Sequence, residues 1–181
     1  NVMHGRNRIF LIGDSHAVNY YPIIKSQFPE YSVECFNGNY FSKEHPVVLE
    51  YISRIGREKD IIIFSTKSFY DPSLAKQEWD DFRDVDPTLN LKDLQEKKLF
   101  IGDDIRNLSI ISKERGIRLL LVNDLPRFSY GEYNSATRRV FPDTSFSISS
   151  ETMLKRRSGL HRLINNHSKA DNISIIDPFN L

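Results

Sequence analysis

Five short apolar segments alternate along the chain with longer segments whose apolar residues recur at helical spacing. The apolar segments span 8–12, 32–36, 60–65, 116–122 and 172–176. The third reads Asp-Ile-Ile-Ile-Phe-Ser, which is typical of a strand buried on both faces of a parallel sheet. Right-handed crossovers then place helices on both sides of that sheet. The pattern therefore predicts an α/β protein, a three-layer α/β/α sandwich around a five-stranded, mainly parallel sheet.

Apolar residues at helical spacing predict four helices between these strands. The predicted helices span 17–28, 46–57, 91–115 (as one helix or two, ended by Gly116) and 149 or 150 to 168. Pro22 lies within the first helix, so we expect that helix to start late or to bend there. Residues 71–90 are predicted as a loop or short-helix insertion, and residues 126–147 as a second long loop. We expect the 181 residues to form a single domain.

The composition excludes several classes of protein. The formal net charge is +1, which gives no electrostatic reason to expect binding to nucleic acid. Cys35 is the only cysteine, so no disulfide can form within this sequence. No apolar run approaches the roughly 18 residues of a membrane-spanning helix. Because the sequence has neither a metal-ligand pattern nor a Walker or dinucleotide-binding loop, we predict no metal and no cofactor.

The most informative polar residues follow the first predicted strand, where Gly-Asp-Ser-His occupies 13–16. Gly13 allows the chain to turn sharply, since it has no side chain to clash. Ser15 then stands at the N-terminus of the next helix, where N–H groups and the helix dipole stabilise negative charge. This spacing favours a serine nucleophile on an elbow, although Ala17 replaces the last glycine of the Gly-x-Ser-x-Gly pattern. Two alternatives stay open: Asp14 or Ser15 only caps the helix, or the turn binds phosphate.

This turn and two further segments resemble the SGNH/GDSL superfamily. Phe-Leu-Ile-Gly-Asp-Ser-His-Ala at 10–17 is similar to the first sequence block of that superfamily, and most of all to SGNH domains fused to acyltransferase-3 membrane proteins. Leu-Leu-Leu-Val-Asn-Asp-Leu-Pro at 119–126 resembles their fourth strand, and Ile-Ile-Asp-Pro at 175–178 resembles the strand before their C-terminal catalytic block. The resemblance covers the chain from residue 8 to 181 and implies a flavodoxin-like SGNH hydrolase fold.

The resemblance also implies a function and a set of site residues. Ser15 would be the nucleophile of serine-dependent acyl transfer or ester hydrolysis, acting on O-acetyl groups of a cell-surface carbohydrate. The N–H groups of Ser15 and Gly38 would hold the oxyanion, although Asn-Gly-Asn at 37–39 is equally well predicted as a plain turn. The supporting residues would be Gly13, Asp14, His16 and Asn39.

The same resemblance indicates where such a protein acts. The partner would be an acylated small molecule or a carbohydrate. The compartment would be periplasmic or otherwise extracytoplasmic, with a membrane acyltransferase domain outside this chain.

Two parts of the superfamily pattern are absent. The Gly-x-Asn-Asp motif after the third strand is replaced by Ser-Thr-Lys-Ser at 65–68, where Lys67 either offers positive charge to an oxyanion or is a solvated lysine. The Asp-x-x-His motif that supplies the general base is also missing, so no general base can be identified in this chain. We expect His16, next to Ser15, to point away from it. The other histidines are predicted as terminal, surface or half-buried residues: His4, His45, His161 and His167.

Three hypotheses follow from the missing base. We expect the catalytic block to lie beyond Leu181, which would leave this chain with a nucleophile but no base and therefore inactive alone. The alternative is a catalytically incomplete SGNH-fold domain that binds a glycan or a partner. A third hypothesis is a flavodoxin-like domain that binds phosphate at the first turn.

An aromatic-rich loop and a group of basic residues each have two possible interpretations. The aromatic residues between 128 and 146 line a sugar site or only pack their loop onto the body. A group of basic residues is predicted as a solvated helix face, with an anion-binding patch as the alternative: Lys155, Arg156, Arg157 and Arg162, joined by Arg138 and Arg139.

Overall fold

The computed structural model of the chain describes residues 6–77, 90–123, 150–167 and 172–177. These residues form one five-stranded sheet with helices on both faces. Every pair of neighbouring strands is parallel, so the predicted α/β sandwich is confirmed and its sheet is parallel throughout. The strands are β1 Arg8–Gly13, β2 Ser32–Asn37, β3 Ile61–Ser65, β4 Arg118–Val122 and β5 Ile173–Ile176.

The strand order is β2-β1-β3-β4-β5, so the direction of winding reverses between β1 and β3. At this position Gly13 pairs with Asn37 on one side and with Ser65 on the other. Ser65 in turn pairs with Val122 of β4. The carboxyl ends of the strands therefore lie at one edge of the sheet, with the switch point that open α/β sheets use for ligands between β1 and β3.

The described helices follow the predicted order, with one addition. The helices are α1 Ser15–Gln27, α2 Phe41–Glu44, α3 Pro46–Ile55, α4 Pro72–Gln77, α5 Leu91–Arg115 and α6 Ser150–His167. The predicted long segment at 91–115 is a single helix, and Gly116 ends it with a φ of +66°. The insertion predicted at 71–90 contains α4, and its residues 78–89 lie outside the described residues, as does the loop predicted at 126–147.

Alternation along β1 divides the core between the two faces of the sheet. Ile9 and Leu11 pack in the cluster that contains Ala17 of α1. Phe10 and Ile12 pack in the larger cluster on the opposite face, to which α3, α5 and α6 contribute buried residues. The main contributions of those helices are Leu49 and Ile52, Ile101, Ile105 and Leu108, and Leu160, Leu163 and Ile164.

Two helices differ from the sequence prediction for identifiable reasons. Helix α1 begins at Ser15, two residues earlier than predicted, because the Asp14 side chain caps it by accepting from the N–H of His16. The helix also continues through Pro22, which is exposed, so water can replace the lost hydrogen bond. Helix α2 has no local cap; the buried Asp104 of α5 accepts from the N–H groups of Phe41 and Ser42 instead.

Candidate functional site

The turn after β1 approaches β3 so closely that only glycine fits. Gly13 has a φ of +148°, a conformation that side chains rarely permit. A Cβ atom added there would lie 1.6 Å from the carbonyl oxygen of Ser65 and 3.1 Å from the Cβ of Ala17. The close approach of β3 therefore explains why the turn predicted at position 13 requires glycine.

Ser15 follows this turn as the first residue of α1, and it is exposed. The N–H groups of Ala17 and Val18 both donate to the Asp14 carbonyl. Ser15 itself makes no hydrogen bond with any residue that the structure describes, through either its N–H or its hydroxyl. A free hydroxyl and a free N–H at the positive end of a helix dipole are suited to a nucleophile and an oxyanion donor.

Asp14 is the buried anchor of the turn. Its side chain is 5% exposed, and its Oδ1 accepts from the N–H of His16 at 2.9 Å. Its Oδ2 accepts from the N–H of Lys67 at 2.9 Å and from the hydroxyl of Thr66 at 3.3 Å. Burial opposes the charged form, but hydrogen bonds from His16 and Lys67 outweigh it and lower the pKa of Asp14 from 3.8 to about 2. The carboxylate is therefore ionised at neutral pH and joins the loops after β1 and β3.

His16 lies against the same carboxylate. Its Nδ1 is 3.2 Å from Asp14 Oδ1, and one quarter of its side chain is exposed. Adjacent residues on a helix project about 100° apart, so the His16 ring and the Ser15 hydroxyl do not face each other. The structure thus pairs His16 with Asp14, a contact that the sequence analysis did not predict.

The loop after β3 contributes two polar groups near the turn. Lys67 is half-buried, and its ammonium makes no ion pair with any residue in the described ranges. Ser65 is completely buried, and its hydroxyl has no hydrogen-bond partner. Ser65 lies on the α1 side of the sheet, because Ile61 and Ile63, four and two residues before it, pack in the cluster beneath that helix.

The oxyanion role expected for the N–H of Gly38 is not compatible with this structure. That N–H donates to the carbonyl of Gly13 at 2.8 Å, as the next hydrogen bond of the ladder between β1 and β2. A side chain at position 38 would meet the ring of His45, since a Cβ there would lie 2.5 Å from that ring as it stands. Asn39 is exposed and makes no side-chain hydrogen bond with a described residue. Of the two expected oxyanion donors, only the N–H of Ser15 is free.

The remaining histidines do not supply a base at this turn. His4 lies outside the described residues. The ring of His45 packs against Phe41, with the two centroids 5.3 Å apart. His161 contacts two asparagine side chains, and His167 is half-buried on α6, where burial and the charge of Arg106 lower its pKa. In the described part of the chain, the one histidine–carboxylate pair is His16 with Asp14.

A second polar cluster, which the sequence analysis missed, lies where β4 and β5 end. The buried Asn123 donates through Nδ2 to Asp177 Oδ2 at 3.1 Å, and the same nitrogen is 2.7 Å from Nδ1 of His161. Asp177 also forms an ion pair with Arg157, which is 2% exposed. The sequence placed Asn123 and Asp177 directly after predicted strands, and that position was the available signal.

Two of the basic residues of α6, Arg156 and Arg157, are buried, which corrects the prediction of a solvated helix face for them. Lys155 pairs with Glu151 on the same helix, at the surface. Arg157 pairs with Asp177, and the buried Arg156 donates to the hydroxyl of Tyr70. Arg162 lies 2.8 Å from the buried carboxylate of Asp71. Residues 138 and 139 lie outside the described residues. These three arginines connect α6 to the loop after β3 and to the residue that follows β5.

The described residues contain neither a metal site nor a membrane-spanning helix. No group of three or more histidine, cysteine, aspartate or glutamate side chains in the described ranges is arranged to hold a metal ion. None of the described helices combines the length and the apolar character needed to cross a bilayer.

Comparison with known proteins adds no family assignment. No protein-family model matches the chain, and no curated protein shows significant similarity to it.

Proposed function

We propose that this chain provides the nucleophile for serine-dependent acyl transfer or ester hydrolysis, with Ser15 attacking the acyl carbon. The observation that supports this most is the exposed Ser15 at the start of α1, whose hydroxyl and N–H make no hydrogen bond with the residues that the structure describes. The substrate we propose is an O-acetyl group on a cell-surface carbohydrate. That choice depends on the resemblance of residues 10–17 to SGNH domains fused to acyltransferase-3 proteins.

Three features of the turn support a role in chemistry beyond helix capping. Asp14 already caps α1, so Ser15 is not needed for that purpose. The turn is held rigidly, because Gly13 touches Ser65 and the Asp14 carboxylate binds the next loop. Lys67, whose ammonium makes no ion pair with a described residue, belongs to that loop, and its positive charge would stabilise an oxyanion if the side chain turned toward Ser15.

A non-catalytic binding domain is the second candidate, and two observations favour it. The N–H of Gly38 is used within the sheet, so one of the two expected oxyanion donors is not available. In addition, the described histidines include none that combines a carboxylate partner with a position facing Ser15. On this alternative the same edge of the sheet would bind a glycan, or a phosphate at the turn, without turnover.

Acetylation of the protein by p-nitrophenyl acetate separates these candidates. We expect one nitrophenolate per chain to be released in a burst, slow because no base for Ser15 is identified in this chain, with the acetyl group located on Ser15 by peptide mass spectrometry. Ser15→Ala should abolish the burst. Ser32→Ala should not change it, because Ser32 is an exposed serine at the other end of the sheet.

The outcomes of this assay are distinct. A burst that persists in Ser15→Ala would refute Ser15 as the nucleophile. Absence of any burst, together with Ser15-dependent binding of an acetylated oligosaccharide or of inorganic phosphate, would favour the binding domain. Turnover of an acetylated oligosaccharide, lost in Ser15→Ala, would support the proposed substrate class.

A further inference from the structure

An open cavity of about 400 Å³ lies at the edge of the sheet opposite to Ser15, where the strands begin. It is lined by the residues that lead into strands β1 to β4, namely Asn7, Tyr31, residues 58–61, Gly116 and Arg118. Backbone hydrogen bonds join these segments: the Ser32 N–H donates to the Asn7 carbonyl at 2.9 Å, and the Arg118 N–H donates to the Asp60 carbonyl at 3.2 Å. The cavity is therefore built on the rigid ends of the sheet, and its volume is in the range that holds small organic ligands.

Three exposed charges line this cavity without forming an ion pair with any residue in the described ranges. They are the ammonium of Lys59, the guanidinium of Arg118 and the carboxylate of Glu58. The fourth charged residue, Asp60, is only 2% exposed, and its carboxylate accepts hydrogen bonds from two backbone N–H groups at 2.7 and 2.9 Å. The cavity thus offers two cations and one anion to a ligand.

Lys59 occupies a backbone position that suits glycine better. Its φ is +78°, and it is the third residue of a turn in which the Asp60 N–H donates to the Arg57 carbonyl at 3.0 Å. Glycine or asparagine is usual at such a position, and in the described part of the chain no other residue except glycine has a positive φ. Strained backbone of this kind is concentrated at ligand-binding and active sites. The strained residue here is also the one that presents an ammonium to the cavity.

We propose that this cavity binds an acidic α-amino acid, a ligand that carries two carboxylates and one ammonium. One carboxylate pairs with Lys59 and the other with Arg118, while Glu58 binds the ammonium, so that each exposed charge of the lining meets an opposite charge. The half-buried ring of Tyr31 contacts the methylene groups of the ligand. This site is separate from the turn at Ser15 and does not depend on the reaction proposed there.

Isothermal titration calorimetry with L-glutamate tests this site, and we expect a dissociation constant of about 1 mM or below. Lys59→Gly should weaken binding at least about tenfold, as loss of a charge-assisted contact requires. Because this substitution also relieves the backbone strain, it should leave the protein folded, which urea denaturation checks. Lys113→Gln changes an exposed lysine near the C-terminal end of α5 that does not line the cavity, so this control should bind glutamate like the wild type.

An analogue of glutamate identifies which charges are recognised. Glutarate has both carboxylates but no ammonium, so the wild type should bind it at least about tenfold more weakly than glutamate. Glu58→Gln should weaken the binding of glutamate to a similar extent without weakening that of glutarate. Arg118→Gln should weaken the binding of both compounds.

Three results would overturn the proposal. The first is no binding of glutamate to the wild type at about 10 mM. The second is unchanged binding in Lys59→Gly or Arg118→Gln, which would place glutamate elsewhere on the protein. The third is equal affinity of the wild type for glutamate and glutarate, which would exclude recognition of the ammonium. If Lys59→Gly proves unstable in urea, Lys59→Asn repeats the measurement, because asparagine tolerates a positive φ.

Discussion

Two buried serines, one with hydrogen-bond partners and one without, allow the effect of a missing hydrogen bond on the unfolding free energy to be measured in one protein. Ser65 and Ser112 are both completely buried, but only Ser112 has partners. The Ser112 hydroxyl donates to the Ile117 carbonyl at 2.6 Å and accepts from Asn172 Nδ2 at 2.6 Å. Ser112→Ala therefore removes two hydrogen bonds, one that the hydroxyl donates and one that it accepts. At about 0.5–1.5 kcal/mol for each bond, the loss in unfolding free energy should be about 1–3 kcal/mol.

The same substitution at Ser65 should have the opposite effect or none. Its hydroxyl bears a desolvation penalty of about 1–3 kcal/mol without a compensating hydrogen bond, and alanine removes that penalty. Part of this gain is offset by the small space that the oxygen leaves. We expect Ser65→Ala to be between unchanged and about 2 kcal/mol more stable than the wild type, measured by urea denaturation. A loss at Ser65 as large as that at Ser112 would refute the reasoning.

Three further predictions concern the backbone and the buried carboxylate. Gly13→Ala should abolish folding, which circular dichroism checks, because its Cβ would lie 1.6 Å from the Ser65 carbonyl oxygen. Gly102→Ala is the control: its Cβ would have no atom closer than 3.7 Å, so the unfolding free energy measured by urea denaturation should rise by as much as about 1 kcal/mol. Lowering the pKa of Asp14 from 3.8 to about 2 contributes about 2 kcal/mol to folding, present above about pH 4 and lost as the pH falls through about 2. The difference in stability between wild type and Asp14→Asn should therefore shrink by about that amount between pH 5 and pH 2, and a constant difference would contradict it. Lys59 has a φ of +78°, a left-handed conformation that is strained for a residue with a side chain. Lys59→Gly should therefore raise the unfolding free energy by about 1 kcal/mol in the same urea denaturation assay. A loss of stability would show that the lysine side chain makes a contact that stabilises the protein by more than this strain costs.

The fold was predictable because local patterns determine it. The apolar run that ends at Ser65 is buried on both faces, as its composition predicts, and Gly116 ends α5 in the expected left-handed conformation. The parallel order follows from the alternation of strands with helices. Helix α2 was not predictable in this way, since Asp104 caps it from more than sixty residues further along the chain.

The site was predictable only where its residues are consecutive. Residues 13–15 form the turn and the helix start that their order indicates. The use of the Gly38 N–H depends on the register between β1 and β2, which the sequence does not contain. The cluster of Asn123, His161 and Asp177 likewise depends on where α6 crosses the ends of two strands. Polar groups that meet only through tertiary packing leave no periodic signal.

The close approach of Gly13 to β3 makes position 15 a fixed reference point for chemical labelling. Because Gly13 packs directly against β3, the sheet fixes where the backbone of residue 15 lies. A thiol introduced by Ser15→Cys would stand at a helix N-terminus, where the thiolate is favoured, while Cys35, the natural cysteine, is only partly accessible and has a pKa raised by burial. A spectroscopic probe attached there would report on ligands that arrive at the switch point, whether or not they react.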